Sequence, residues 1–210
     1  MASPVLVLDT IGPWCAAALQ IGEAVVEDSR EIGRGHAEVL APMVEGLFEA
    51  GDIAPRDLHR IGVNCGPGGF AGTRVGVAFA RGLALASGAQ AVGIGALPAL
   101  ARNVDPDGSR TVLVIHDAKR GDFLWSVFKA GKAEAGLERG DAAQVQAVVN
   151  ANRDAYLTGS GAVALGLEDA QFDPRPPLRA LLDLTQLMPA SAPPPSPIYA
   201  RAPDAKPAAS

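Results

Sequence analysis

The sequence predicts an α/β protein of two lobes, each a mixed sheet flanked by helices. Three observations lead there. Short apolar strands with tight connections are followed by an amphipathic helix, the pattern of a meander with a crossover. The same pattern restarts after a turn-rich junction, Asp105-Pro-Asp-Gly108. Hydrophobic residues make up 48% of the 210, enough to bury a sizeable core without disulfides.

The elements follow in order. Residues 5–8 form a short apolar run that ends in Asp9-Thr10, a strand leading into a polar turn. Strands over 16–20 and 24–32, joined through Gly22, complete an antiparallel meander. From His36, the apolar residues Val39, Leu40, Met43, Val44, Leu47 and Phe48 recur at spacings of three and four, so a helix runs to Gly51, read as its C-cap glycine. A strand over 60–65 enters Gly66-Pro-Gly-Gly-Phe-Ala-Gly72, and a small-residue helix follows over 73–87. Then come a strand over 91–94 and a helix over 97–102. Beyond the junction the expected strands are 111–115, 123–129, 133–137 and 155–157, with helices over 141–150 and 178–188. These elements place a first lobe at 1–104 and a smaller second lobe at 105–188. Residues 189–210 hold seven of the 17 prolines. Proline fixes φ and removes a donor, so this end is predicted to be an extended tail.

Charge and punctuation narrow the function. The net charge is -5, which argues against a chain that holds nucleic acid by itself, because phosphate affinity comes mainly from Lys and Arg. The uncharged run over 82–101 is broken by four glycines and Pro98, so it is not a membrane span. The start, Met-Ala-Ser-Pro, lacks the basic region of a signal peptide, and a cytoplasmic protein is expected. Cys15 and Cys65 are far apart with no C-x-x-C, and read as buried free thiols.

Candidate chemistry is sparse. Asp9 and Thr10, at the end of a buried strand, can meet a phosphate or its magnesium; the same pair also suits an ordinary turn. The loop glycines Gly66, Gly68 and Gly69 let backbone approach an anion at a helix N-terminus. Without a Lys-Ser/Thr pair the loop is not a Walker loop, and it equally suits a tight strand-to-helix turn. Gly72, Gly76, Ala80 and Ala84 recur every four residues and form a groove along one helix, for a partner or for the chain's own sheet. No second ligand accompanies His36, since position i+4 is Leu40, and no metal is expected. No G-x-S-x-G elbow is present, and no catalytic residue is assigned.

Several of these motifs, in this order, resemble the TsaB (YeaZ) family. They are Leu6-Val-Leu-Asp-Thr10, Arg34-Gly-His36, Gly66-Pro-Gly-Gly-Phe-Ala-Gly-Thr-Arg-Val-Gly76 and Arg81-Gly-Leu-Ala84. Asp117-Ala-Lys-Arg-Gly121, Thr158-Gly-Ser-Gly161, Pro197-Ile-Tyr-Ala-Arg201 and Asp204-Ala-Lys206 resemble its weaker motifs. The resemblance implies the ASKHA fold, the two-lobed actin-like, RNase H-like architecture. It implies a non-catalytic subunit that works with TsaD, the catalytic subunit, and TsaE, an ATPase. Their product is threonylcarbamoyladenosine, beside the anticodon of tRNA. Contact with tRNA would come only through that complex, and the chain alone would form a homodimer. The catalytic relative holds its metal with two histidines at i and i+4, where this chain has His36 and Leu40. The family loop usually reads Gly-Pro-Gly-Ser-Phe-Thr-Gly; Gly69 and Ala71 replace the two hydroxyl residues here, which removes phosphate contacts. No firmly bound cofactor is therefore expected, with ATP or ADP reserved for the complex interface.

The partner surface is expected on two helices, at His36, Leu40, Met43, Val44 and Leu47 on one and at Gly72, Arg74, Val75, Gly76, Phe79 and Ala80 on the other. On that expectation Gly76→Leu blocks the partner and leaves the fold intact. The alternatives are an autonomous ASKHA-type ATP-dependent phosphotransferase and a glycoprotease-like peptidase.

Overall fold

A computed structural model describes residues 3–200. Strands β1 (Val5–Asp9), β2 (Trp14–Ile21) and β3 (Ala24–Glu31) form the antiparallel meander; β4 (Arg60–Asn64) and β5 (Gln90–Ile94) add parallel to β1. The sheet order is β3-β2-β1-β4-β5. β1 is therefore central, and its residues alternate between two covered faces. Leu6 and Leu8 point into a core shared with helices α1 (His36–Gly51) and α2 (Phe70–Ser87). Val5 and Val7 point the other way, into a core shared with Leu178, Leu181 and Leu182.

Those three leucines belong to α6 (Leu178–Leu187), and they correct the expected lobe boundary. The helix closes the second lobe in sequence but covers the first sheet in space. Arg60 fixes it there: its Nη1 donates to the carbonyls of Thr185 (3.0 Å), Gln186 (3.1 Å) and Met188 (2.6 Å), the free acceptors at a helix C-terminus. The physical reason is supply. A five-stranded sheet needs cover on both faces, and α1 and α2 serve one only.

The second lobe repeats the first in reduced form. β6 (Val112–Asp117) and β7 (Phe123–Lys129) are antiparallel, α4 (Ala142–Ala151) follows, and β10 (Tyr156–Thr158) returns parallel to β6. The third strand of this meander, expected over 133–137, is two short pieces, β8 (Lys132–Ala133) and β9 (Glu138–Gly140), both paired with β7. A short helix α5 (Ser160–Ala164), absent from the expected elements, occupies the Gly-Ser-Gly motif. Helix α3 (Ala96–Val104) packs on both α6 and β6 and joins the lobes.

Two helix ends differ from expectation. α2 starts at Phe70, three residues early, directly behind its N-cap Gly69. Gly51 lies inside α1, and Asp52 takes the left-handed cap at φ 49°. Gly51 serves packing instead: a Cβ there would meet Ile21 Cδ1 at 2.8 Å and Leu19 Cδ2 at 2.9 Å. Both cysteines are buried and free, with their thiols pushed up to about 11 chiefly by burial. The tail opens on a turn, where the Ala192 N–H donates to the Pro189 carbonyl at 3.0 Å, and carries no helix or strand from there to residue 200; Arg201 and Asp204-Ala-Lys206 lie outside the described residues. Among those described, no helix is long and apolar enough to cross a membrane.

Candidate functional site

A cleft of about 440 Å³ opens between the lobes. Asp9 lies on its first-lobe wall, at the end of β1 and 3% exposed. Asn64 Nδ2 donates to Asp9 Oδ2 at 2.7 Å, and the Ile11 N–H donates to Oδ1 at 3.2 Å. Asn64 Oδ1 in turn accepts the Gly66 N–H at 3.1 Å, so the carboxylate is linked through one side chain to the glycine loop. Burial raises the Asp9 carboxyl to about 6, against the lowering from Asn64, the Ile11 amide and the charge of His36. A buried carboxylate in a cleft, held among the described residues by neutral donors, is a functional-site candidate on physical grounds.

The second lobe supplies His116, Asp117, Lys119 and Ser160. Ser160 Oγ accepts the Asp117 N–H at 3.1 Å and stands 3.4 Å from His116 Nδ1. Burial lowers the His116 imidazole, outweighing the nearby Asp117 charge. Burial would raise Asp117, but the hydrogen bonds from Lys119 and its charge pull it below the usual carboxylate range. Asp173 and Arg175 close the rim as a second ion pair, and the Arg175 hydrogen bonds hold Asp173 low. Among the described residues, the lysine and the arginine of the cleft each carry a carboxylate partner.

The predicted phosphate contacts separate. Asp9, Gly68 and Gly69 line the cleft; Thr10 and Gly66 do not. Thr10 points to the opposite side of the sheet, where its hydroxyl donates to the Gly72 carbonyl at 2.7 Å. The Gly69 N–H donates to the Ile11 carbonyl at 2.6 Å and so is engaged within the chain. A Cβ on Gly68 would fall 2.6 Å from that same carbonyl, and one on Gly66, at φ 92°, would fall 2.7 Å from the Ile198 carbonyl. These glycines admit the chain's own backbone. Asn64, His116 and Ser160 were not singled out from composition. Asn64 carried one signal, a polar residue closing an apolar strand; Ser160 lay within a motif noted only by resemblance.

The expected partner surface needs a larger correction. Leu40, Met43, Val44 and Leu47 are core residues, at most 3% exposed. His36 is turned inward: its Nε2 is 3.0 Å from the Gly12 carbonyl and 3.2 Å from the Trp14 carbonyl. Two carbonyl acceptors make this nitrogen the protonated one. Gly72, Gly76 and Ala80 face the first sheet. A Cβ on Gly72 would lie 2.0 Å from the Thr10 carbonyl, and one on Gly76 2.4 Å from Thr10 Oγ1. The groove is internal packing, so Gly76→Leu would disrupt the fold it was expected to spare. Val75 and Phe79 are half-buried against the core. Of the expected set, Arg74 alone is exposed, and it belongs to a different face of α2 made with Phe70, Ala78, Arg81 and Leu85. Leu85 is 89% exposed.

Comparison with known proteins places this architecture. The family model described as "TsaD: tRNA N6-adenosine threonylcarbamoyltransferase" matches residues 29–183. The protein named "tRNA threonylcarbamoyladenosine biosynthesis protein TsaB" of Escherichia coli (strain K12) is 28% identical over 65% of this chain, and the match covers 59% of that protein's length. An uncharacterized protein of Mycobacterium tuberculosis is 31% identical over 99% of this chain and 96% of its own. A Pseudomonas aeruginosa structure, described as similar to peptidase YEAZ, shares the fold with a TM-score of 0.80, at 22% identity, over 96% of this chain and all of that one. The chain belongs to the TsaD-like family, and proteins named TsaB are among its relatives.

Proposed function

We propose that this chain is an accessory, non-catalytic subunit in the formation of threonylcarbamoyladenosine in tRNA, acting on a TsaD-like catalytic chain with a TsaE-like ATPase. The pathway is taken from relatives named for it in Escherichia coli and Bacillus subtilis. The observation that carries the accessory role is the contrast between cleft and helix. Among the described residues, both cleft cations are already paired with carboxylates, and the loop amide of Gly69 is engaged by Ile11. A phosphotransferase needs such groups free for phosphate. The outer face of α2, by contrast, presents Phe70, Arg74, Ala78, Arg81 and Leu85 to solvent. An exposed apolar and arginine-bearing face has the composition of a docking surface. The TsaD-like chain docks there, and contact with tRNA is made by the assembled complex. ATP or ADP belongs at the interface with that chain. Alone, two copies pair through the same helices: α1 exposes Glu38, Glu45 and Glu49, which complement Arg74 and Arg81.

The test is reconstitution of threonylcarbamoyladenosine on tRNA with TsaC, TsaD and TsaE from the same source. Product should form only when this chain is added, and the chain alone should turn over nothing. Equal product without it would remove the proposal.

A further inference from the structure

The tail does more than end the chain. Residues 195–199 cross the loop that opens α2. The Ile198 N–H donates to the Cys65 carbonyl at 2.7 Å. The Ile198 carbonyl occupies the space a Gly66 Cβ would need, and Pro195 Cα lies 3.2 Å from where a Gly93 Cβ would stand. Glycines from two separate segments thus leave a groove that the tail backbone fills.

At the end of this groove Tyr199 lays its ring on Phe70, the first residue of α2, with centroids 4.8 Å apart. The Arg74 guanidinium lies 4.7 Å from the same Phe70 ring. Both rings stay open to solvent, Phe70 at 40% and Tyr199 at 38%. The α2 N-cap is Gly69, which has no side chain to accept the free helix amides, and Gly72 weakens the first turn further. The order of that turn therefore rests on tertiary contacts, and Tyr199 supplies an aromatic one on its solvent side.

We propose that residues 195–199 are a strap that sets Phe70 and Arg74 in docking position, and that Tyr199 is itself part of the surface offered to the TsaD-like chain. This rests on the reading of the α2 outer face as the docking surface. The aromatic–arginine cluster is continuous with that face and has the residue types that dominate protein interfaces. The strap makes the tail a positioning element for a helix that starts more than 120 residues earlier in the chain.

The experiment compares the full chain with Tyr199→Ala and Tyr199→Phe. Hydrogen exchange is measured at the amides of residues 73–74, the first to donate within the helix, in the free protein, and affinity is measured for a TsaD-like chain. Tyr199→Ala should speed exchange at 73–74 about fivefold, the loss of one aromatic pair, without change in β6. It should weaken partner binding about tenfold, as expected for an interface aromatic. Tyr199→Phe should keep both properties. Unchanged exchange at 73–74 in Tyr199→Ala overturns the strap, and unchanged affinity overturns its part in docking. Arg81→Glu, on α2 but away from the strap, separates the two readings. If it docks normally, the α2 docking surface is wrong, while the exchange result still judges the strap.

Discussion

The two faces of the first sheet meet at neighbouring residues and do opposite work. On one face Leu6, Leu8 and Thr10 look toward α1 and α2, and every site there is filled by the chain itself. On the other, Val5 and Val7 sit under α6, and the next residue in line, Asp9, opens on the cleft. A strand alternates its side chains, so Asp9-Thr10 cannot act as one element. The first residue is available to a ligand; the second is a fastener. α2 shows the same division around its own axis. Its inner glycines accept the Thr10 carbonyl and hydroxyl, and its outer face carries exposed residues that, among those described, only Tyr199 touches from another element.

This contrast breaks most visibly on the inner side. Gly76→Leu should cost about 4 kcal/mol, a large part of a small domain's stability, because its Cβ alone would meet Thr10 Oγ1 at 2.4 Å. Denaturant unfolding would measure it. A near-native midpoint would mean that α2 can rise off the sheet, and the inner–outer distinction would fail.

The cleft face is tested by pH. The Asp9 carboxyl is raised in the folded protein from 3.8 to about 6. The folded state therefore holds this proton more tightly than the unfolded one. The stabilisation is complete below 3.8 and is lost as pH rises through about 6, a swing on the order of 3 kcal/mol. Asp9→Asn lacks this titration. The Tm of the wild type relative to Asp9→Asn should fall between pH 4 and 7; a flat difference would show that Asp9 is better solvated than its position implies.

Thr10→Val keeps the shape and removes the hydroxyl that serves the Gly72 carbonyl. A loss of about 1–2 kcal/mol is expected, with no effect on any ligand of the cleft. An effect on cleft binding would place Thr10 in the site after all. The smallest effect is on the outer side. A Cβ at Gly82 meets nothing within 4 Å, so Gly82→Ala should stabilise the free chain by about 0.5–1 kcal/mol. Should it also weaken docking, the glycine is kept for close approach by the partner.

The lobes and most elements were legible because hydrophobic period is a local property. The apolar run in residues 5–8 and the spacing from Val39 to Phe48 each named their element directly. The face assignments were not. Leu40 and Gly76 look the same in sequence whether they meet a sheet or a partner, since both surroundings want small or apolar side chains. Helix α6 shows a second limit: its period identifies a helix, but which sheet it covers depends on contacts with residues more than a hundred positions away. The loop glycines read as a ligand cradle because close approach leaves one signature, whichever group approaches. Asp9 and Thr10 were read together because a carboxylate and a hydroxyl at the end of a buried strand can meet a phosphate, and only Asp9 of the two lines the cleft.

The return of α6 also bears on how the chain is made. Synthesis proceeds from the N-terminus, and domains usually fold as they emerge. Here all five strands of the first sheet have left the ribosome by Ile94, yet Val5, Val7, Ala16 and Ala18 keep a bare apolar face until Leu178–Leu187 arrives. The nascent protein thus carries an unfinished sheet through the whole synthesis of its second lobe. A fragment ending at residue 104 would keep that face permanently uncovered and should precipitate or recruit a chaperone, so dissection of this chain at its apparent lobe boundary would yield neither half intact.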